Sequence, residues 1–260
     1  HAIDARTAAW WATTAALSGD DMEGRDTGSP GYDRAAAYVA ERFRRAELRP
    51  AGDAGTYFQR IRFDEIEVAN EGTSFSVQQA TGDRRPLRFL HEISVTPTWG
   101  MPARIDAPLV FRGFCAPSDM TGVRGAVVAC FGTRRTGQPL FAAQMEAATA
   151  AGAVAMVRVD DTGFTIEPPR WPLAYARNVV LADGSPRPRT IPSLRLAATT
   201  FTEIANASGH DGGDILARGA RGEAMAPFDF PARFEASIVT RERSSTSDNV
   251  LAVLPGTDPA

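Results

Sequence analysis

The 260-residue chain opens with apolar residues at helical spacing and then changes to strand spacing. Residues 2–17 have a helical pattern, with Trp10 and Trp11 among alanines, and Ser18-Gly19-Asp20-Asp21 breaks it. A loop over 22–28 leads to Ser29, placed as an N-cap with Pro30 at the first helical position. Tyr32, Ala36, Val39 and Phe43 then fall at i, i+4, i+7 and i+11, one apolar stripe of a second helix, and Pro50 ends the helical region. From 57 to 105 the pattern is that of short strands: 63–68 partly alternates, 73–77 alternates clearly, and Thr81-Gly82-Asp83 is a hairpin turn into 86–90.

The clearest unit follows. Ala126-Val127-Val128-Ala129-Cys130-Phe131 is a short continuous apolar run, as in a strand buried on both faces. A Gly-rich loop leads to a helix over about 140–151 with Phe141, Met145 and Ala148 on one face, Gly152 stops it, and 153–159 is a second buried strand. Strand, helix, strand predicts a parallel pair with a right-handed crossover. Residues 108–111 supply another strand of that sheet, 161–190 are proline-rich and irregular, and 192–196 resume as a strand. Thr199 or Thr200 is expected to cap a helix running to about Ala207, Gly209 ends it, and 215–217 form a short helical turn. Strands over 233–239 and 249–254 precede a closing turn at 255–260. The fold class is therefore α/β in the broad sense, a mixed α+β chain. The front helices and the final strand have apolar faces with no partner in this middle unit, so they are expected to pack poorly or against another molecule.

Composition narrows the function classes. Hydrophobic residues make up 43% and charged residues 23%, as in an ordinary globular protein, and the net charge of -3 gives no basic field for nucleic acid. No stretch approaches the roughly 18 apolar residues of a membrane span. All 28 basic residues are arginine, which rules out a Schiff-base lysine and a phosphate loop ending in Gly-Lys-Ser/Thr. The two cysteines, Cys115 and Cys130, are too few for a disulfide scaffold or a thiolate metal site. They form either one bridge between neighbouring strands or two buried thiols. The chain begins at His1 without an initiator Met, which fits a cleaved signal peptide.

Candidate chemistry is sparse. A two-zinc hydrolase needs about five ligands, among them histidines and a bridging carboxylate. Only His1, His91 and His210 are present. His91-Glu92 falls in a strand-like segment, and His210-Asp211 in a polar turn between helices where Asp211 or Asp214 serves as an N-cap. Asp20-Asp21 is a helix terminus with solvated charges. No Gly-x-Ser-x-Gly elbow occurs, and a serine hydrolase would need a triad assembled only in space. Gly132-Thr133-Arg134-Arg135-Thr136-Gly137 lies between a strand and a helix N-terminus without dinucleotide spacing; it is a surface loop or, as a minor reading, a contact for an anionic partner. No catalytic residue and no metal ligand is assigned.

Three stretches carry a family resemblance: 17–32 with Gly24-Arg25-Asp26-Thr27-Gly28-Ser29, then Leu48-Arg49-Pro50-Ala51-Gly52 with Tyr57-Phe58-Gln59, and Ser247-Asp248-Asn249-Val250-Leu251-Ala252-Val253-Leu254-Pro255-Gly256-Thr257-Asp258-Pro259. They resemble the opening and the return strand of bacterial zinc aminopeptidases of the glutamate carboxypeptidase/transferrin receptor-like group. The middle, with Leu109-Val110-Phe111-Arg112-Gly113-Phe114 and Gly125-Ala126-Val127-Val128, resembles their inserted protease-associated (PA) domain. The resemblance implies 1–62 as the helical start of a peptidase domain, 63–240 as a PA domain of swivelling β/β/α type, and 241–260 as the return strand of an incomplete peptidase domain. It implies a parent with two zinc ions, a peptide substrate met through the parent's catalytic domain, and an exported, periplasmic or extracellular location. The family's zinc ligands begin in a His-x-Asp strand beyond this point, so no ligand or catalytic base is carried onto this chain and no cofactor is expected in it. The expected role is shaping substrate access or mediating contacts; the alternative is a free-standing PA-type binding or sorting module.

Overall fold

The computed structural model describes residues 4–162, 176–187 and 190–256; the first three residues with His1, half of the proline-rich stretch and the closing residues lie outside them. The chain divides into two compact units, one of His1–Glu65, Val179–Ser185 and Arg243–Ala260, the other of Ile66–Asn178 and Pro186–Glu242. Among the described residues no helix is long and apolar enough to cross a membrane.

The first unit opens with α1 (Ala5–Leu17), whose N-cap Asp4 accepts from the backbone N–H of Arg6 and Thr7. It buries no residue, and Trp10 and Trp11 are 66% and 63% exposed. A 3-10 turn over Asp20–Arg25 follows, then α2 (Pro30–Arg45), capped by Ser29 Oγ on the Tyr32 N–H as the sequence predicts. The buried face of α2 is shifted from the expected stripe. Gly31, Ala35, Ala36 and Ala40 are buried, while Tyr32, Val39 and Phe43 are half-buried; the helix approaches the Met22 turn closely at Gly31, where a Cβ would lie 2.2 Å from the Met22 carbonyl oxygen. After α2, β1 (Arg49–Pro50) pairs antiparallel with β13 (Ala252–Val253), so the front of the chain and the late strand are partners rather than orphans. Tyr32 Oη also donates to the Asp248 carbonyl at 2.5 Å.

Strands β2 (Phe58–Val68), β9 (Arg177–Leu181) and β12 (Thr240–Val250) form a three-stranded sheet in the order β12-β2-β9. β12 begins well before the strand expected at 249–254. Its start, Thr240-Arg241-Glu242-Arg243-Ser244-Ser245, has no hydrophobic alternation, and it is tied down by Arg243 to the buried carboxylate of Glu65 at 2.7 Å and by Ser244 to Asp64 at 2.9 Å.

The second unit is built on an eight-stranded sheet. Its strands are β3 (Ser74–Gln79), β4 (Arg84–Leu87), β5 (Ile93–Thr96), β6 (Arg104–Phe111), β7 (Val127–Gly132), β8 (Ala155–Asp160), β10 (Ser193–Leu196) and β11 (Phe228–Ser237). The order is β4-β3-β11-β6-β7-β8-β10-β5. β6, β7, β8 and β10 run parallel, and the outer pairings are antiparallel. Both faces are covered. α3 (Phe141–Ala150) brings Ala147 and Ala148 against Val128, Cys130 and Met156, while α4 (Ala198–Ala207) brings Phe201 and Ile204 against Val127, Ala129 and Val157. Coverage on both sides is why β7 is apolar at consecutive positions.

Details of the helices depart from expectation. The buried face of α3 is Gln144, Ala147 and Ala148, and Phe141 is 42% exposed. Gln144 is held in the core because its amide donates to the Phe114 and Phe131 carbonyls. The cap of α4 is Ala197 rather than Thr199 or Thr200, and Thr200 is buried. The single turn expected at 215–217 is a full helix, α5 (Gly212–Arg221), because glycines that argue against a helix by propensity are there for close approach. A Cβ on Gly219 would sit 2.7 Å from the Phe131 ring, and one on Gly212 2.6 Å from Thr202 Cα. Cys115 and Cys130 form a disulfide, which decides between the two alternatives left by the sequence.

Candidate functional site

Of the described histidines, His91 and His210, neither meets a group of carboxylates as a metal ligand does. His91 lies in the turn between β4 and β5, not in a strand, and its neighbour Glu92 is occupied by Arg85 Nη2 at 2.9 Å, the Arg88 N–H at 2.8 Å and Arg88 Nε at 3.2 Å. His210 lies in the turn between α4 and α5 and stacks on Phe228 with ring centroids 3.7 Å apart. Asp211 is the N-cap of α5 and accepts from the Asp214 N–H, one of the two caps expected. The disulfide leaves neither cysteine as a thiolate. Asp20 and Asp21 are exposed in the 3-10 turn. Among the described residues no three His, Cys, Asp or Glu side chains converge as a metal site.

One concavity belongs to the first unit. It encloses about 500 Å³ between Asp33 and Ala36 of α2, Asp53, Thr56, Phe58 and Arg60 around the start of β2, and Asp248 of β12. Arg60 meets Asp248 side-on, Nε to Oδ1 at 3.1 Å and Nη2 to Oδ2 at 3.2 Å, and Asp53 Oδ2 accepts the Arg60 N–H at 2.8 Å. Asp248, helped by Asp33 and Asp53, holds the Arg60 guanidinium above its ordinary value. Three carboxylates against one guanidinium leave the concavity acidic, and it contains no hydrogen-bonded nucleophile and base. Of its residues only Phe58 and Asp248 fall in the stretches that carry the family resemblance, and periodicity gives no hint that Arg60 and Asp248, 188 positions apart, are partners.

In the second unit, charge collects at the carboxyl end of the parallel strands, where ligands bind in open α/β sheets. The register sets Cys130 beside Arg158, Gly132 beside Asp160, and Arg158 beside Arg195. Arg158, Asp160 and Arg195 therefore share the sheet face covered by α3. Arg195 Nε meets Asp160 Oδ1 at 2.5 Å, and Arg135 meets the buried Asp161 at 3.4 Å, with Thr133 Oγ1 also donating to Asp161. The Arg158 guanidinium lies 5.4 Å from the Phe141 ring centroid. Burial holds it below its ordinary value; Asp160 pulls it back up, and the like charges of Arg195 and Arg134 press it further down. The loop singled out in the sequence for Arg134 and Arg135 thus lies near Arg158 and Asp161, which sequence spacing did not connect to it.

No protein-family model matches the chain, and no curated protein sequence does. Solved structures resemble it. An aminopeptidase from Aneurinibacillus sp. strain AM-1 is 16% identical with a TM-score of 0.53, over 95% of this chain and 50% of that one. Two structures of a zinc aminopeptidase from Bacillus subtilis give 15% and 16% identity at TM-scores of 0.45 and 0.42, over 96% and 92% of this chain and 47% and 44% of theirs. The chain spans about half the length of the aminopeptidases it matches. What it shares with the Aneurinibacillus aminopeptidase is a mixed α+β fold, the class expected from the sequence.

Proposed function

We propose that this chain is a non-catalytic portion of a zinc aminopeptidase whose larger unit is a PA-type domain that shapes access to a catalytic domain or mediates contacts for it. The observation that carries the reading is the fold likeness over 95% of this chain to half of the Aneurinibacillus aminopeptidase. The buried disulfide suits an exported protein, since such bridges persist in oxidising compartments.

The test is zinc content and aminopeptidase activity, measured on this chain and on a longer chain carrying whatever the gene encodes after Ala260. This chain, loaded with excess zinc and desalted, is expected to retain almost none and to leave chromogenic amino-acid amides intact. The longer chain is expected to hold two zinc ions and hydrolyse them. Two tightly held zinc ions on this chain alone overturn the reading. A longer chain with neither zinc nor activity transfers the assignment to a free-standing binding or sorting module.

A further inference from the structure

We infer that the carboxyl end of β7, β8 and β10 binds a phosphate group, free or esterified, between Arg158 and Arg134. The argument is one of charge balance. Arg195 is matched by Asp160, and Arg135 by Asp161. Among the described residues no carboxylate lies within ion-pair distance of Arg158 or Arg134, so two guanidinium charges are left over at one edge of the sheet. Arg158 is half-buried, Asp160 attracts its charge while Arg195 and Arg134 oppose it, and its flat face is taken by Phe141, which leaves the guanidinium edge for an acceptor. A partly desolvated cation whose nearby carboxylate is already paired with another guanidinium gains when a further anion joins it.

Two further features favour an anion here. Gly132 makes room for the Arg158 stem, because a Cβ there would lie 2.4 Å from Arg158 Cγ. The helix that follows, α3, has no side-chain cap and no acidic residue in its first turn, so its N-terminal positive pole is unopposed on the same loop. A phosphate dianion matches two guanidinium charges, whereas a carboxylate matches one. The assignment stands apart from the peptidase reading, since all of these residues belong to the second unit and none needs a catalytic domain.

Calorimetric titration of the full chain with inorganic phosphate, O-phosphoserine and acetate, in dilute chloride buffer where screening is weak, tests it. Saturable phosphate binding is expected. Arg158→Gln and Arg134→Gln should each weaken it about tenfold, the worth of one charge-assisted hydrogen bond. Arg124→Gln removes an exposed arginine from the amino end of β7 and should leave binding unchanged. Arg134 is exposed, so Arg134→Gln tests the site even if Arg158→Gln fails to fold. Tighter binding of phosphoserine assigns an ester, and equal binding assigns the free ion. No saturable phosphate binding, equal binding of acetate, or an equal loss in Arg124→Gln overturns the inference.

Discussion

At the scale of single residues, arginine carries every cationic role, because the chain has no lysine. The forked guanidinium suits this, since one side chain can satisfy several acceptors. Arg112, almost fully buried, donates to the carbonyls of Thr121, Phe111 and Phe228 and to Asp229. Glu92 is the acidic counterpart. Burial raises its carboxyl, but the Arg88 N–H and the Arg85 and Arg88 side chains outweigh that and hold it below its ordinary value of 4.5. A depressed folded value means the carboxylate stabilises the fold above about pH 4.5 and loses that contribution as pH falls further. Glu92→Gln should therefore cost about 1–2 kcal/mol at pH 7, with the gap to wild type narrowing toward pH 3. Urea denaturation of both proteins at pH 7, 5 and 3 measures this, and a gap that stays constant would assign Glu92 a purely steric part.

At the scale of elements, α5 shows two effects in opposition. Replacing Gly219 by alanine gains about 1 kcal/mol of helix propensity. It also places a Cβ within 2.7 to 2.8 Å of three atoms of the Phe131 ring, and that ring is 1% exposed with nowhere to move. Overpacking of this kind costs about 1–3 kcal/mol, so the packing term is expected to win and Gly219→Ala to melt below wild type. A higher melting temperature would mean that α5 shifts outward cheaply. Contacts of this kind explain why the sequence understates α5, since Gly212 and Gly219 lower its helix propensity while serving its packing.

At the scale of the whole molecule, the disulfide staples the segment after β6 to β7 inside the core that faces α3. It closes a sequence separation of 15, for which chain entropy gives about 3 kcal/mol. Reduction, or the Cys115→Ala/Cys130→Ala pair, should therefore speed hydrogen exchange of the β7 and β8 amides about 100-fold, while the α2 amides of the other unit exchange as before. Unchanged exchange in β7 and β8 would mean that the sheet alone fixes this region.

Sequence by itself determined the elements whose residues speak locally. The Ser29 cap of α2, the hairpin at Thr81-Gly82-Asp83 and the parallel β7–α3–β8 unit are legible because capping, turn chemistry and continuous apolar runs act over a few residues. It also excluded lysine chemistry. Tertiary structure decided whatever depends on distant partners. The polar start of β12 became a strand through Glu65 and Asp64, some 180 residues away, and β1 found β13 across most of the chain. It brought Arg60 to Asp248, bridged Cys115 to Cys130, and set Arg158 beside Arg195 and near Arg134. The physical reason is the same in each case: an ion pair, a bridge or a strand pairing depends on proximity in space, and sheet register creates that proximity without leaving a period in the sequence.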